Sequence, residues 1–325
     1  MKRREFIKFI GGAASWPLSA QAQQPSMPVI GFLSSRSAEE SARAVAAFHQ
    51  GLRETGFVEG QNLKVEFRWA EGQYDKVPGL TSELVSLPLA LLFAAGPPAA
   101  LSARIATASI PIVFVVGVDP IAAGLVESFN KPGGNATGMT LITGPLAQKR
   151  LELLREIAPK AANLAMLANP LSPDAAPEIR DVQASTQANG FQLKMLIASK
   201  PSDLTAAFAS LSEQHPDGVL VGSDPFFVAR RDEIISLAAR LRVPVIYPFR
   251  EFAESGGLIS YGASLSATYH QAGVYAGRIL KGARPAELPV MQPTTFELII
   301  NLKAAKTLGI SMPPALLARA DEVIE

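Results

Sequence analysis

Two stretches decide the fold: "SIPIVFVVGVDPIAAGLV" at residues 109–126 and "RVPVIYPFREFAESGGLI" at 242–259. Each leads with a proline and a β-branched apolar run, breaks, passes through a short helix-like stretch, and reaches glycine before the next strand. Runs that are apolar on both faces belong to a parallel sheet covered on both sides. The same phrase written twice points to one lobe built twice, with something held between the copies.

Working outward from these phrases, the first half reads as alternating strands and helices from Pro28 onward. "VIGFLSS" precedes a helix-period segment that stops at Gly56. "LKVEFRW", a helix over 76–86, "LALLFAAG", a helix through "PAALSARIATA", "IPIVFVVG", "VDPIAAGLVESF" and the strand "NATGMT" complete it. The second half repeats the order. "NLAMLANP", a helix over 177–189, "FQLKMLIAS", a helix over 202–214, "DGVLVGSD", the helix "VARRDEIISLAARL", "VPVIYPF", the short helix "REFAESGG" and "LISYG" follow one another. After them come the helix "LSATYHQAGVYAGRILKG" and the tail "TTFELIINLKAAKTLGI", which read as return crossings between the lobes. The expected fold is α/β: two similar lobes, each a parallel sheet covered by helices, joined by a multi-crossing hinge. Lobe 1 is expected over 28–143 plus 263–290, and lobe 2 over 144–262 plus 291–322.

The chain has 325 residues, 48% hydrophobic and 18% charged, with a net charge of +1. It is globular, and without a Lys/Arg block in its body it has no footprint for nucleic acid. Cysteine is absent, which removes disulfides, thiolate metal sites, a thiol nucleophile and a lipid-anchored cysteine. "MKRREFIKFIGGAASWPLSAQAQ" has a basic start, a weakly apolar middle and Ala20-Gln21-Ala22. That is the layout of an export signal over 1–22, cleaved near Ala22. Arg3-Arg4 ahead of Glu5-Phe6 gives it a twin-arginine character. The expected product is periplasmic, and it touches the membrane only through a partner.

Ligands of open parallel sheets sit beyond the carboxyl ends of the strands. Those positions hold Ser34, Ser35 and Arg36, then Gly96 and Pro97, then Gly117 to Pro120 in the first half. The second half offers Asn169, Asp224 and the run from Tyr247 through Glu251 to Phe252. Hydroxyls, helix-start amides, Asp119 and Asp224, and a set of rings suit a small zwitterion. Each also has an ordinary reading. Ser34, Ser35, Asp119 and Asp224 are typical helix caps, and Asp119-Pro120 and Asp224-Pro225 are common turn starters. Phe226, Phe227, Tyr247, Phe249, Phe252 and Tyr261 form either an aromatic cleft wall or plain core. His49, His215 and His270 lack metal-ligand spacing, and no phosphate loop, dinucleotide fingerprint or nucleophile elbow is present. The sequence therefore asks for no catalytic residue, cofactor or metal.

"RREFIKFIGGAASWPL", "PVIGFLSSRS", "GLRETGFVEGQNLKVEFRWAEGQYDKVPGLTSELV", "TASIPIVFVVGVDPIAAGLVESFNKPGGNATGMT" and "KRLELLREIAPKAANLAMLANP" resemble the ABC-transporter substrate-binding proteins of the tryptophan/tyrosine type. The resemblance extends to "INLKAAKTLGI". It implies a first-type periplasmic binding fold, a small-molecule ligand, and as partners a permease with its ATPase; the protein itself is expected as a monomer. Carried over position by position, it implies ligand contacts from Ser34, Ser35, Gly96 with Pro97, Asp119 with Pro120, Asn169, Asp224, Tyr247 and Glu251. Many members carry a hydroxyl residue after the glycine, where this chain has Pro97-Pro98. Proline has neither hydroxyl nor amide hydrogen, so two carboxylate donors are lost at that turn. The expected ligand is an aromatic or branched amino acid or a related aromatic compound. A sensory ligand-binding module and an exported hydrolase or transferase are the alternatives.

Overall fold

The computed structural model describes residues 27–141, 143–212 and 214–325; the expected export signal lies outside them. Lobe 1 runs β1 (Val29–Ser34), α1 (Ala38–Glu54), β2 (Lys64–Trp69), α2 (Val77–Val85), β3 (Leu91–Ala95), α3 (Pro97–Ala106), β4 (Ile112–Val116) and β5 (Ala136–Thr140). Lobe 2 runs α4 (Thr143–Ile157), β6 (Asn163–Ala168), α5 (Ala175–Ala188), β7 (Gln192–Ile197), α6 (Pro201–Ser212) and β8 (Gly218–Val221). It continues through α7 (Pro225–Ala229), α8 (Arg231–Leu241), β9 (Val245–Tyr247), α9 (Arg250–Glu254) and β10 (Ile259–Ala263). The chain then makes α10 (Leu265–Leu280), β11 (Phe296–Asn301), α11 (Leu302–Leu308), α12 (Pro314–Leu317) and β12 (Glu322–Ile324).

The repeat is visible in the strand order. The first sheet is β2-β1-β3-β4-β5, and the second carries the equivalent order β7-β6-β8-β9-β10, extended by β11 and β12. All pairs are parallel except β10–β11, where the returning chain runs antiparallel. The inner strands β1, β3, β4 and β8 are buried almost throughout, as expected of strands sandwiched by helices. The order in each lobe is that of doubly wound sheets, whose ligand crevice opens at the carboxyl ends of the strands.

Two local expectations need correction. Residues 119–129 form turns, not a helix. There Asp119 Oδ1 accepts from the amides of Ile121 and Ala122, and Gly124 turns with φ of 68°, so helical hydrogen bonds do not propagate. "VARRDEIISLAARL" breaks at Arg230, whose φ of −118° separates α7 from α8.

The chain passes between lobes after β5, after β10 and again before β11. On the second passage α10 lies against α1 at very short range. A Cβ on Gly273 would stand 2.1 Å from the Phe48 carbonyl oxygen, and one on Gly51 2.0 Å from that of His270. Only glycine lets these two backbones meet. On the third passage Met291 bonds to the edge of β5, accepting from Thr140 N and donating to Gly138 O, before β11 joins the second sheet.

Candidate functional site

The two crevices face one another and enclose a cavity of ≈ 30 Å³. Lobe 1 contributes Arg36, Gly96, Pro97, Val115 and Gly117; lobe 2 contributes Asp174, Ser223, Asp224, Pro225 and Phe249. The crossings add Leu141, Thr143, Leu265 and Tyr269. The lobes are closed. Tyr74 in lobe 1 donates its hydroxyl to Asp224 Oδ2 in lobe 2 at 2.7 Å. At the rim Arg43 pairs with Glu254 at 2.8 Å and Arg231 approaches Glu40 at 3.7 Å. So small a volume holds a water or two, and a larger ligand enters only when the lobes part.

Part of the cavity wall is acidic. Asp224 caps α7, its Oδ1 accepting from the amides of Phe226 at 2.9 Å and Phe227 at 3.3 Å, with Asn169 Nδ2 a further donor at 3.3 Å. Asp174 stands at the N-cap position of α5 and makes no capping bond. Its carboxylate reaches instead across to Gly117 of lobe 1, where a Cβ would fall 2.7 Å from Oδ2. Asp174 is 4% exposed, and its Oδ1 has no hydrogen-bond partner among the described residues. Behind it Glu178 is bound by the buried Arg150 and accepts from Ser223 N at 2.9 Å. Burial pushes the Asp174 carboxyl well up from its ordinary range, with the negative charges of Glu178 and Asp224 adding to the effect. Burial also raises Asp224, against the opposing hydrogen bonds from Tyr74 and Asn169.

The wall also carries a cationic group. Arg36 is 7% exposed and lies over the Phe249 ring at 5.1 Å, with Glu251 at 4.0 Å as its nearest carboxylate. Ser35 Oγ, fully buried beside Gly96, has no partner among the described residues. Most of the remaining lining is apolar, from Val115, Leu141, Leu265, Pro97, Pro225 and the rings of Phe249 and Tyr269.

The residues singled out from sequence are therefore scattered over several roles. Gly96, Pro97 and Asp224 line the cavity, and Ser35 lies against Gly96. Asn169 stands behind Asp224 as its donor, while Ser34 Oγ accepts from Arg36 N. Asp119 and Pro120 do not reach the cavity. Asp119 is exposed, turns its own loop, and borders a separate outer groove of ≈ 810 Å³ that shares Gly117, Thr143 and Asp174 with the cavity. Tyr247 is core, stacked on Phe252 at 4.8 Å and bordering a groove beside α11. Glu251 reaches the site through Arg36, and its Oε2 is buried without a partner among the described residues. Of the six expected rings only Phe249 lines the cavity; Phe227, Tyr247 and Phe252 are packed in the core, and Tyr261 stacks near Phe296 at 6.4 Å. Sequence reasoning missed Asp174, Tyr74 and Tyr269. Asp174 lies three residues ahead of the expected helix over 177–189, not at a strand end, and Tyr269 sits in a crossing helix.

A match to the family described as "ABC transporter substrate binding protein" covers residues 27–324. A tyrosine-binding protein from Clostridioides difficile is 27% identical over 268 residues, which is 82% of this chain and 77% of the relative. Two solved structures are alike throughout. A conserved domain protein from Vibrio cholerae superposes with a TM-score of 0.86 at 26% identity, over 91% of this chain and 99% of that one. An ABC domain in complex with L-Trp from Streptococcus pneumonia superposes with a TM-score of 0.85 at 26% identity, over 92% of this chain and 100% of that one.

Proposed function

The chain belongs to the ABC transporter substrate-binding protein family, and we propose that it captures an amino acid with an aromatic side chain between its lobes and hands it to an ABC permease outside the cytoplasm. Export rests on the signal-like residues 1–22. The observation that carries the ligand class is the mixed lining of the cavity: two carboxylates, a guanidinium, and an apolar, ring-bearing surface. Asp174 and Asp224 suit an ammonium. Arg36, with Ser35 Oγ beside Gly96, suits the carboxylate, and takes over from the amide donors that Pro97 and Pro98 cannot supply. Val115, Leu141, Leu265, Phe249 and Tyr269 suit a flat side chain. The tyrosine-binding relative and the L-Trp complex support the same class.

A melting-shift screen with L-tryptophan, L-tyrosine, L-phenylalanine, benzoate and glucose tests the reading. A bound ligand at a hundred times its dissociation constant adds about 2.7 kcal/mol to stability, which gives a clear upward shift. Arg36→Ala should weaken an aromatic amino acid by roughly tenfold or more, as expected when a charge-assisted contact is lost, while tryptamine, which has no carboxylate, should lose little. A screen in which glucose gives the largest shift, or in which Arg36→Ala weakens both compounds equally, would contradict the assignment.

A further inference from the structure

Asp174 is placed oddly for a helix cap. It has the cap position of α5 without the cap bond, is more than nine-tenths buried, and leaves Oδ1 unpartnered among the described residues. Its charged neighbours do not balance it. On α5 itself Glu178 lies one turn along, and it engages the buried guanidinium of Arg150 from α4. From the turn after β8 comes Asp224, whose partners are Tyr74, Asn169 and two amides. Across the cavity Arg36 faces Glu251 and the Phe249 ring, with Tyr269 beside it. In the outer groove Asp119 and Arg180 are exposed and Asp181 is half-buried, so solvent screens all of them. Thus no cation is assigned to Asp174 inside the closed lobes. A carboxylate in that setting favours a proton until another positive charge replaces it.

We propose that Asp174 is the group that selects a cationic ligand end, and that it exchanges a proton for the ligand's ammonium on closure. This rests on the amino-acid reading above. The exchange balances: the protonated carboxyl and the free ammonium become a carboxylate–ammonium pair, and one proton goes to solvent. Two consequences follow from linkage. Binding releases up to about one proton per ligand, and affinity falls by up to roughly tenfold per pH unit as the medium is acidified through the range where Asp174 titrates in the ligand-free protein. A receptor exposed to an acidic surrounding would then release its cargo more readily.

Titration calorimetry of the full chain with L-tryptophan and L-tyrosine, in phosphate and in Tris at matched pH across a series above the ordinary carboxylate range, reads the proton count from the difference in enthalpy. The expected result is a buffer-dependent enthalpy equivalent to a substantial fraction of one proton. Asp174→Asn should abolish that difference and weaken tryptophan, while its circular dichroism stays that of the parent. Indole-3-propionate, which lacks the amine, should release no proton. Tight tryptophan binding with equal enthalpies in both buffers across the range would overturn the exchange and leave the amino-acid reading standing. So would an Asp174→Asn protein that releases as many protons as the parent. If neither amino acid produces heat or a melting shift, the amino-acid reading fails and the exchange fails with it.

Discussion

Tyr74→Phe removes one oxygen atom and tests whether closure is held where the structure holds it. Tyr74 belongs to lobe 1, in the short turn ahead of α2, and its hydroxyl donates to Asp224 Oδ2 of lobe 2 at 2.7 Å. The bond exists only when the lobes are together. Asp224 keeps Asn169 and the amides of Phe226 and Phe227, so the cap on α7 persists and each lobe should fold as before. A hydrogen bond to a charged acceptor contributes about 1.5–3 kcal/mol, and leaving a buried carboxylate short of one donor costs a similar amount. A ligand enters only when the lobes part, so that energy comes off the closed complex relative to the open state, and the dissociation constant should rise by up to roughly 150-fold. Calorimetry with an aromatic amino acid gives the constant, and solution scattering with and without ligand gives the degree of closure. An unchanged dissociation constant together with an unchanged ligand-induced contraction would refute the latch.

Gly273→Ala would place its Cβ 2.1 Å from the Phe48 carbonyl oxygen, so α10 and α1 must separate. Alanine is otherwise the better helix former by about 1 kcal/mol, so a rise in Tm would show that the contact is loose, whereas the structure predicts a loss of about 1–3 kcal/mol and a drop of several degrees. The ligand-free protein should also lose stability as pH rises. Asp174 holds its proton in the folded state at pH values where the unfolded chain has already released it, because burial and the neighbouring carboxylates push its carboxyl upward. Between the ordinary carboxylate range and that raised value the folded state binds more protons, so unfolding free energy falls with increasing pH. Denaturant melts at a series of pH values from the ordinary carboxylate range upward should show a decline that is smaller in Asp174→Asn; identical declines in both proteins would exclude Asp174 as its source.

The strand runs and the doubled phrase were enough to place two lobes, because a β-branched run that is apolar on both faces has few uses other than an inner parallel strand. Local chemistry also marked the carboxyl ends of those strands, which is how Gly96, Pro97 and Asp224 came to be named. Its limit shows in Asp119 and Asp224. Both are Asp-Pro pairs following a buried strand, and both accept bonds from amides two and three residues on. What separates them lies across the cleft: Tyr74 and the closed cavity face Asp224, while an open groove faces Asp119. Tyr247 and Phe249 are likewise two residues apart in one run, yet one stacks in the core and the other meets Arg36. Asp174 is the plainest case. It stands at the N-cap position of α5 without a cap bond, and its carboxylate lies against Gly117 of the other lobe. Residue type and short-range periodicity determined the elements, since these depend on neighbours along the chain. Which side chains share the cavity, and which carboxylate is left without a partner, was decided by the docking of two lobes and a crossing helix, which places residues distant in sequence within contact of each other.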